Sequence, residues 1–142
     1  MSTCRWQRGA TAAIEHAGPR WVGVWSLLYT AGCATNSLAT HVPLLVGAEL
    51  TWVAMSLRWA RDEVEHVHGE LPFTSPTLEL AKLGSGDDPA AAGALVGQLT
   101  DAILERLDLM LGAGLDPTER ELADRVSSLV RTARPAFAEL AP

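Results

Sequence analysis

Apolar residues recur at helical spacing along most of the chain, and in its second half local residue pairs also indicate where helices begin. Three pairs place an N-cap residue before a proline: Ser75-Pro76, Asp88-Pro89 and Asp116-Pro117. The cap oxygen accepts a free backbone N–H, and proline lacks a donor that would be unpaired there anyway. These pairs predict three helices, over residues 76–83, 89–111 and 117–134.

The first half contains the most apolar segments of the chain. A helix is predicted over residues 2–17, and residues 20–38 predict a second helix that is apolar on all sides. Residues 42–68 form the longest periodic segment and present one continuous apolar face. Trp52 and Trp59 lie at a different angle on the same helix. Because two apolar faces need two neighbours, we expect this helix to lie centrally.

These patterns predict an all-α fold, a single-domain helical bundle of five or six helices over residues 1–142 with a long central helix near residues 42–68. A chain of 142 residues is long enough to bury a substantial core. Its helices carry more apolar surface than a small bundle needs for itself. We therefore expect a homo-oligomer, most simply a homodimer.

The charges and cysteines limit the partners and the compartment. The formal net charge is −6, and Lys82 is the single lysine. Since phosphate contacts need clustered lysine and arginine, nucleic acid is not expected as a partner. Cys4 and Cys33 have the spacing of neither a zinc motif nor a redox pair, and they fit a reducing cytoplasm.

An uncharged stretch over residues 21–48 raises the question of a membrane. Polar residues divide the apolar region into two pieces, 21–34 and 42–57, and Glu49 lies in the second. Each piece is shorter than the roughly 20 residues that cross a bilayer. We therefore expect a buried helical hairpin, and membrane association is the less favoured alternative.

A row of metal-binding residue types closes the long apolar segment. If residues 63–70 are helical, Glu63, His66 and Glu70 fall on one stripe. Carboxylates and imidazole suit iron, manganese or zinc. The Glu63-x-x-His66 spacing resembles that of ferritin-like di-iron bundles, which would here need a site shared across a dimer. A solvated helix end, where histidine suits the dipole, is the more common explanation of such a row.

Glu49 is the other singular residue, because helical phase places it at the edge of the apolar face. A carboxylate in apolar surroundings tends towards a raised pKa and could act as a general acid or base. The alternative is a structural carboxylate that bonds a neighbour and holds two helices in register.

Four tryptophans supply the remaining candidate site. Trp21 and Trp25 share one helix face, and Trp52 and Trp59 share another. Indoles could line an apolar ligand pocket or form a protein contact, although core packing is their most common role. The leading hypothesis is thus a non-catalytic module that binds an apolar small molecule or a partner helix through a Trp-rich surface.

Two enzymatic hypotheses remain beside this one. The first is a carboxylate–histidine metalloenzyme, and the second is a small metal-free lyase or cyclase that uses Glu49. The sequence leaves open whether the protein uses a cofactor and whether it is an enzyme.

Overall fold

Helices form over most of the segments in which apolar periodicity predicts them. The computed structural model describes residues 4–140. Within that range the helices are α1 (Trp6–His16), α2 (Arg20–Ala39), α3 (Leu44–Val67), α4 (Leu71–Thr74), α5 (Pro89–Ala113), α6 (Pro117–Ala133) and α7 (Pro135–Ala138). The all-α bundle and its long helix near residues 42–68 are confirmed, with α4 and α7 as single turns.

The core is built around α2, which has no acidic or basic side chain after Arg20. This helix packs most extensively against α3 and α5, and α6 covers α3 from a further side. Val24, Leu27 and Leu28 are buried at these contacts. Burying each such side chain contributes roughly 1.5–3 kcal/mol, so the uncharged helix supplies much of the driving force for folding.

Two of the three predicted helix starts are confirmed in atomic detail. The Asp88 carboxylate accepts the Ala90 N–H at 3.1 Å at the start of α5. The Asp116 carboxylate accepts the Glu119 N–H at 2.9 Å at the start of α6. In both helices proline occupies the first turn. The sequence rule and the structure therefore agree where the cap is aspartate.

The third predicted helix, over residues 76–83, is wrong, because this segment has no regular secondary structure. Its carbonyl groups accept hydrogen bonds from side chains elsewhere: Pro76 from Ser26, Leu78 from Thr30, Ala81 from Trp6 and Leu83 from His41. A helix would use such carbonyls for its own backbone hydrogen bonds. Tertiary contacts to α1, α2 and the turn before α3 thus outweigh the preference of Ser75-Pro76 for starting a helix.

The remaining bounds differ little from the predicted ones. The first helix begins at Trp6, and residue 2, where its start is predicted, lies outside the described residues. The predicted helices 20–38 and 42–68 correspond to α2 and α3 within two residues at each end. Within residues 4–140, none of the helices combines the length and apolarity needed to span a lipid bilayer.

Arg106 on α5 stabilises the turn between α1 and α2 through hydrogen bonds. Its guanidinium donates to the carbonyl oxygens of Gly18 at 3.1 Å and Ile14 at 3.0 Å. Gly23 on α2 leaves the space for this contact, since a Cβ atom there would overlap the Gly18 carbonyl oxygen and the Arg106 side chain. The close approach of α2 to this turn therefore requires glycine.

Two alanine substitutions in α2 test this requirement. Gly23→Ala should lower the free energy of unfolding by about 2 kcal/mol, because a backbone carbonyl cannot move aside as a side-chain tip can. Gly32→Ala is the matched control, since a Cβ there meets only Leu57 at an ordinary 4.0 Å. It should raise stability by about 0.5–1 kcal/mol through the higher helix propensity of alanine. Equal effects in urea unfolding would contradict the close approach at Gly23.

Candidate functional site

The outward face of α3 carries most of the exposed apolar surface of the bundle. Among residues 4–140, seven large apolar side chains are well exposed, and five of them lie on α3. The exposed fraction is 85% for Leu45, 64% for Trp52, 38% for Met55 and 48% for Trp59. Contiguous apolar exposure of this kind marks interaction sites more often than isolated apolar residues do.

These side chains follow a coiled-coil spacing. Leu45, Trp52 and Trp59 recur every seven residues, and Ala48 and Met55 lie three residues after the first two of them. This is the alternating three- and four-residue spacing of positions that face a partner helix. We call these five residues the α3 seam. The exposed apolar row that contains Trp52 and Trp59 thus begins earlier in the helix, at Leu45.

The opposite side of α3 belongs to the core. Leu50, Leu57 and Val64 also recur every seven residues, and each is at most 1% exposed. Two positions along a helix correspond to a rotation of about 200°, so Leu50 and Trp52 point in nearly opposite directions. The two apolar faces predicted for this helix are therefore real, but the chain itself covers only one of them.

Trp21 and Trp25 are not part of an exposed surface, and this part of the Trp-surface prediction is wrong. Both are buried, because they lie on the helix that α3 and α5 enclose. The Trp25 indole donates to the Glu65 carboxylate at 2.9 Å and stacks on Tyr29 at 5.6 Å between ring centroids. The Trp21 ring lies 5.5 Å from the His68 ring.

A polar cluster surrounds Tyr29 where α2 meets α3 and the irregular segment 75–84. The Tyr29 hydroxyl donates to Glu79 at 3.0 Å, and this hydrogen bond is the main reason that the pKa of Tyr29 is raised. The Arg61 guanidinium lies 5.3 Å from the centre of the Tyr29 ring. Burial raises the pKa of the nearby Cys33 thiol, so this group is a poor nucleophile at neutral pH. The cluster serves packing.

The predicted metal row does not form a single stripe. The helix ends at Val67, so Glu70 lies beyond it, out of register with Glu63 and His66. The Glu63 carboxylate accepts a hydrogen bond from Arg125 on α6 at 3.1 Å, and His66 is exposed. In the part of the chain that the structure describes, no three His, Cys, Asp or Glu side chains lie close enough to hold a metal ion.

His68, rather than His66, is the histidine that the fold encloses. Its Nε2 atom is buried and lies 3.4 Å from the Glu119 carboxylate, at the start of α6. Its Nδ1 atom lies 3.9 Å from Glu70. Glu119 is far away in sequence, so residue spacing gave no signal for this contact. The arrangement holds the end of α3 against α2 and α6.

Glu49 is exposed, so its predicted position at the edge of the core is wrong. The nearest groove on the same helix, about 490 Å³ in volume, is lined by Ala48 and Thr51 but not by Glu49. The exposed carboxylate therefore lacks the apolar surroundings on which the acid–base hypothesis depends.

The concave surfaces of the molecule are shallow and open. A groove of about 600 Å³ lies between α1 and α5, where apolar residues such as Leu109 adjoin Glu15 and Glu105. The guanidinium of Arg106 faces this groove but is already engaged with backbone carbonyls. No nucleophile and base are brought together there. The α3 seam is therefore the better candidate site.

Comparisons with protein-family models, with curated proteins and with solved structures found no match to this chain.

Two tryptophan substitutions test the division between core and seam. Trp25→Ala should lower the free energy of unfolding by about 3–5 kcal/mol, because it leaves a cavity in the core and removes the hydrogen bond from the indole to Glu65. Trp52→Ala should change it by no more than about 0.5 kcal/mol in dilute protein, since this indole has few contacts to lose. Denaturant unfolding at low concentration measures both values, and a large loss in Trp52→Ala would show that this indole belongs to the core.

Proposed function

We propose that this protein is a non-catalytic helical module that binds a partner helix through the α3 seam. The supporting observation is the row of exposed apolar side chains at coiled-coil spacing on a helix whose other side is already packed. The indoles of Trp52 and Trp59 together expose roughly 250–300 Å². Removing this area from water is worth on the order of 7 kcal/mol, before the cost of association is subtracted.

A helix fits this surface better than an apolar small molecule does. Small-molecule sites are concave and enclose most of their ligand. The seam instead runs along the outside of one helix, from Leu45 to Trp59, over about 21 Å. An amphipathic helix can cover that length with side chains of matching spacing.

The proposal places the module in the cytoplasm. Cys4 and Cys33 are both free thiols in the structure, which suits a reducing compartment.

Binding of an apolar dye tests whether the seam is a functional apolar surface. An anilinonaphthalene sulfonate dye should fluoresce with the folded protein at submicromolar concentration, where the seam is uncovered. The Trp52→Ala/Trp59→Ala double variant should lose most of this fluorescence, because it removes the two largest exposed apolar groups.

Leu109→Ala is the matched control for the dye experiment. Leu109 is 67% exposed but lies on α5, away from the seam. This variant should keep the fluorescence of the parent protein. Equal dye binding by the parent and the double variant would contradict the proposed site.

Metal binding is a second candidate, supported by one observation. Asp62, Glu63 and His66 line a common groove of about 350 Å³ at the carboxyl-terminal end of the outward face of α3. These three side chains offer only one nitrogen ligand, and Arg125 already pairs with Glu63. A second chain would have to complete the coordination.

Elemental analysis tests this candidate on protein purified without chelator and reconstituted with iron, manganese or zinc. A shared site requires one metal ion or more for every two chains, and His66→Ala should abolish it. The non-catalytic proposal instead expects metal at background in both proteins. Stoichiometric metal that depends on His66 would favour the metalloenzyme.

A further inference from the structure

We infer that the partner of the α3 seam is a second copy of this chain, whose α3 lies antiparallel about a two-fold axis between Trp52 and Met55. The inference rests on the proposed function and specifies its partner. Two-fold dimers use the same surface patch on both subunits, so that surface must be complementary to itself. The seam meets this requirement in shape and in charge.

The shape of the seam is self-complementary in this register. The seam has two kinds of position: Leu45, Trp52 and Trp59 are of one kind, and Ala48 and Met55 are of the other. In an antiparallel pair of helices, each position of one kind lies opposite a position of the other kind. Trp52 of one chain then lies opposite Met55 of the partner subunit, and sulfur–aromatic contacts of this kind are favourable. Trp59 lies opposite the partner subunit's Ala48, so that the largest side chain meets the smallest one on the seam.

The charges near the axis also favour a copy of the same chain. A two-fold axis brings residues close to their own equivalents, so charged groups there would repel each other. The residues that flank the seam nearest the axis are Thr51 and Ser56, and both are uncharged. From Leu45 to Trp59 the seam itself carries no charged residue.

The two ends of α3 complement each other in the antiparallel direction. At its start α3 has Pro43 as the N-cap residue, no side-chain cap and no acidic residue in its first turn. Neither a capping side chain nor a first-turn carboxylate of α3 therefore opposes the positive end of its helix dipole. In the proposed register, Asp62 of the partner subunit lies level with Leu45 and brings a carboxylate to that end.

The opposite, parallel direction lacks these advantages. Parallel pairing places equivalent residues side by side, so Asp62 would meet Asp62 and His66 would meet His66. It would also leave both uncapped helix starts without a carboxylate from the partner. The acidic end of α3 is thus accommodated only in the antiparallel arrangement.

The exposed area is sufficient for a dimer. With Leu44 and Leu45 added to the side chains of the seam, the exposed apolar area on α3 is roughly 600 Å² per chain. A stable interface removes about 800 Å² from each partner, polar rim included. The flanking side chains along α3 can supply the remainder.

Sedimentation equilibrium tests the choice of partner. The parent chain should be a dimer at micromolar concentration and dissociate on dilution. Trp52→Ala should weaken dimerisation by about 30-fold or more, since a central buried tryptophan is a typical binding hot spot. Leu109→Ala should leave the dissociation constant unchanged, and circular dichroism should show all three proteins equally helical.

Disulfide cross-linking tests the direction, in a background in which Cys4 and Cys33 are replaced by serine. A mixture of Leu45→Cys and Asp62→Cys chains should form a cross-linked heterodimer under mild oxidation. Neither variant should cross-link alone, because each position lies about 26 Å from its own equivalent in this register. Ala48→Cys should also fail to cross-link to itself, whereas a parallel pair would join it readily.

The possible results are distinguishable. A monomer at 100 μM that binds the apolar dye through Trp52 and Trp59 would overturn the second-copy inference while leaving the proposed function in place. Self-cross-linking of Ala48→Cys would overturn the antiparallel arrangement. Equal dye binding by the parent protein and the Trp52→Ala/Trp59→Ala variant would overturn the proposed function itself.

Discussion

The burial of α2 is the constraint on which the rest of the structure depends. From Trp21 to Ala39 this helix carries no acidic or basic side chain, and most of its residues are buried. The long helices α3 and α5 pack against it, and the irregular segment 75–84 contacts it through hydrogen bonds. That segment does not form the predicted helix, because its carbonyl groups accept hydrogen bonds from Ser26 and Thr30. The covering of one helix thus decides the conformation of segments far from it in sequence.

The enclosure of α2 gives α3 its unusual position at the boundary of the bundle. Its inner face must match α2 and α6, and this accounts for Leu50, Leu57 and Val64. Its outer face packs against no other helix of the chain in the described residues, yet it carries two tryptophans, a leucine and a methionine. Contiguous apolar residues on a surface without a fold-related role are typical of interaction sites, and their length along α3 is the reason that we propose a partner helix.

The sequence was most informative where structure is local. Aspartate followed by proline located the starts of α5 and α6, and the glycine and proline stops set the helix ends within about two residues. Helical phase also separated the Trp52–Trp59 row from the core row on α3. It could not indicate which row the chain would cover, because that depends on distant helices. The same limitation explains why Glu49 was placed too close to the core and why His68 was overlooked beside Glu119. Serine at residue 75 marked no helix, since the carbonyls that follow are bound from elsewhere.

The two rows on α3 also make this helix intolerant of changes in length. Its inner and outer apolar residues interleave along the sequence, and each row is defined only by rotation about the helix axis. Deleting one residue near the middle would turn everything beyond it by about 100°. Trp59 would then rotate towards the packed side while Leu57 or Val64 moved towards the surface. Substitutions can alter one face of α3 at a time, but a single insertion or deletion disturbs the core and the outer surface together.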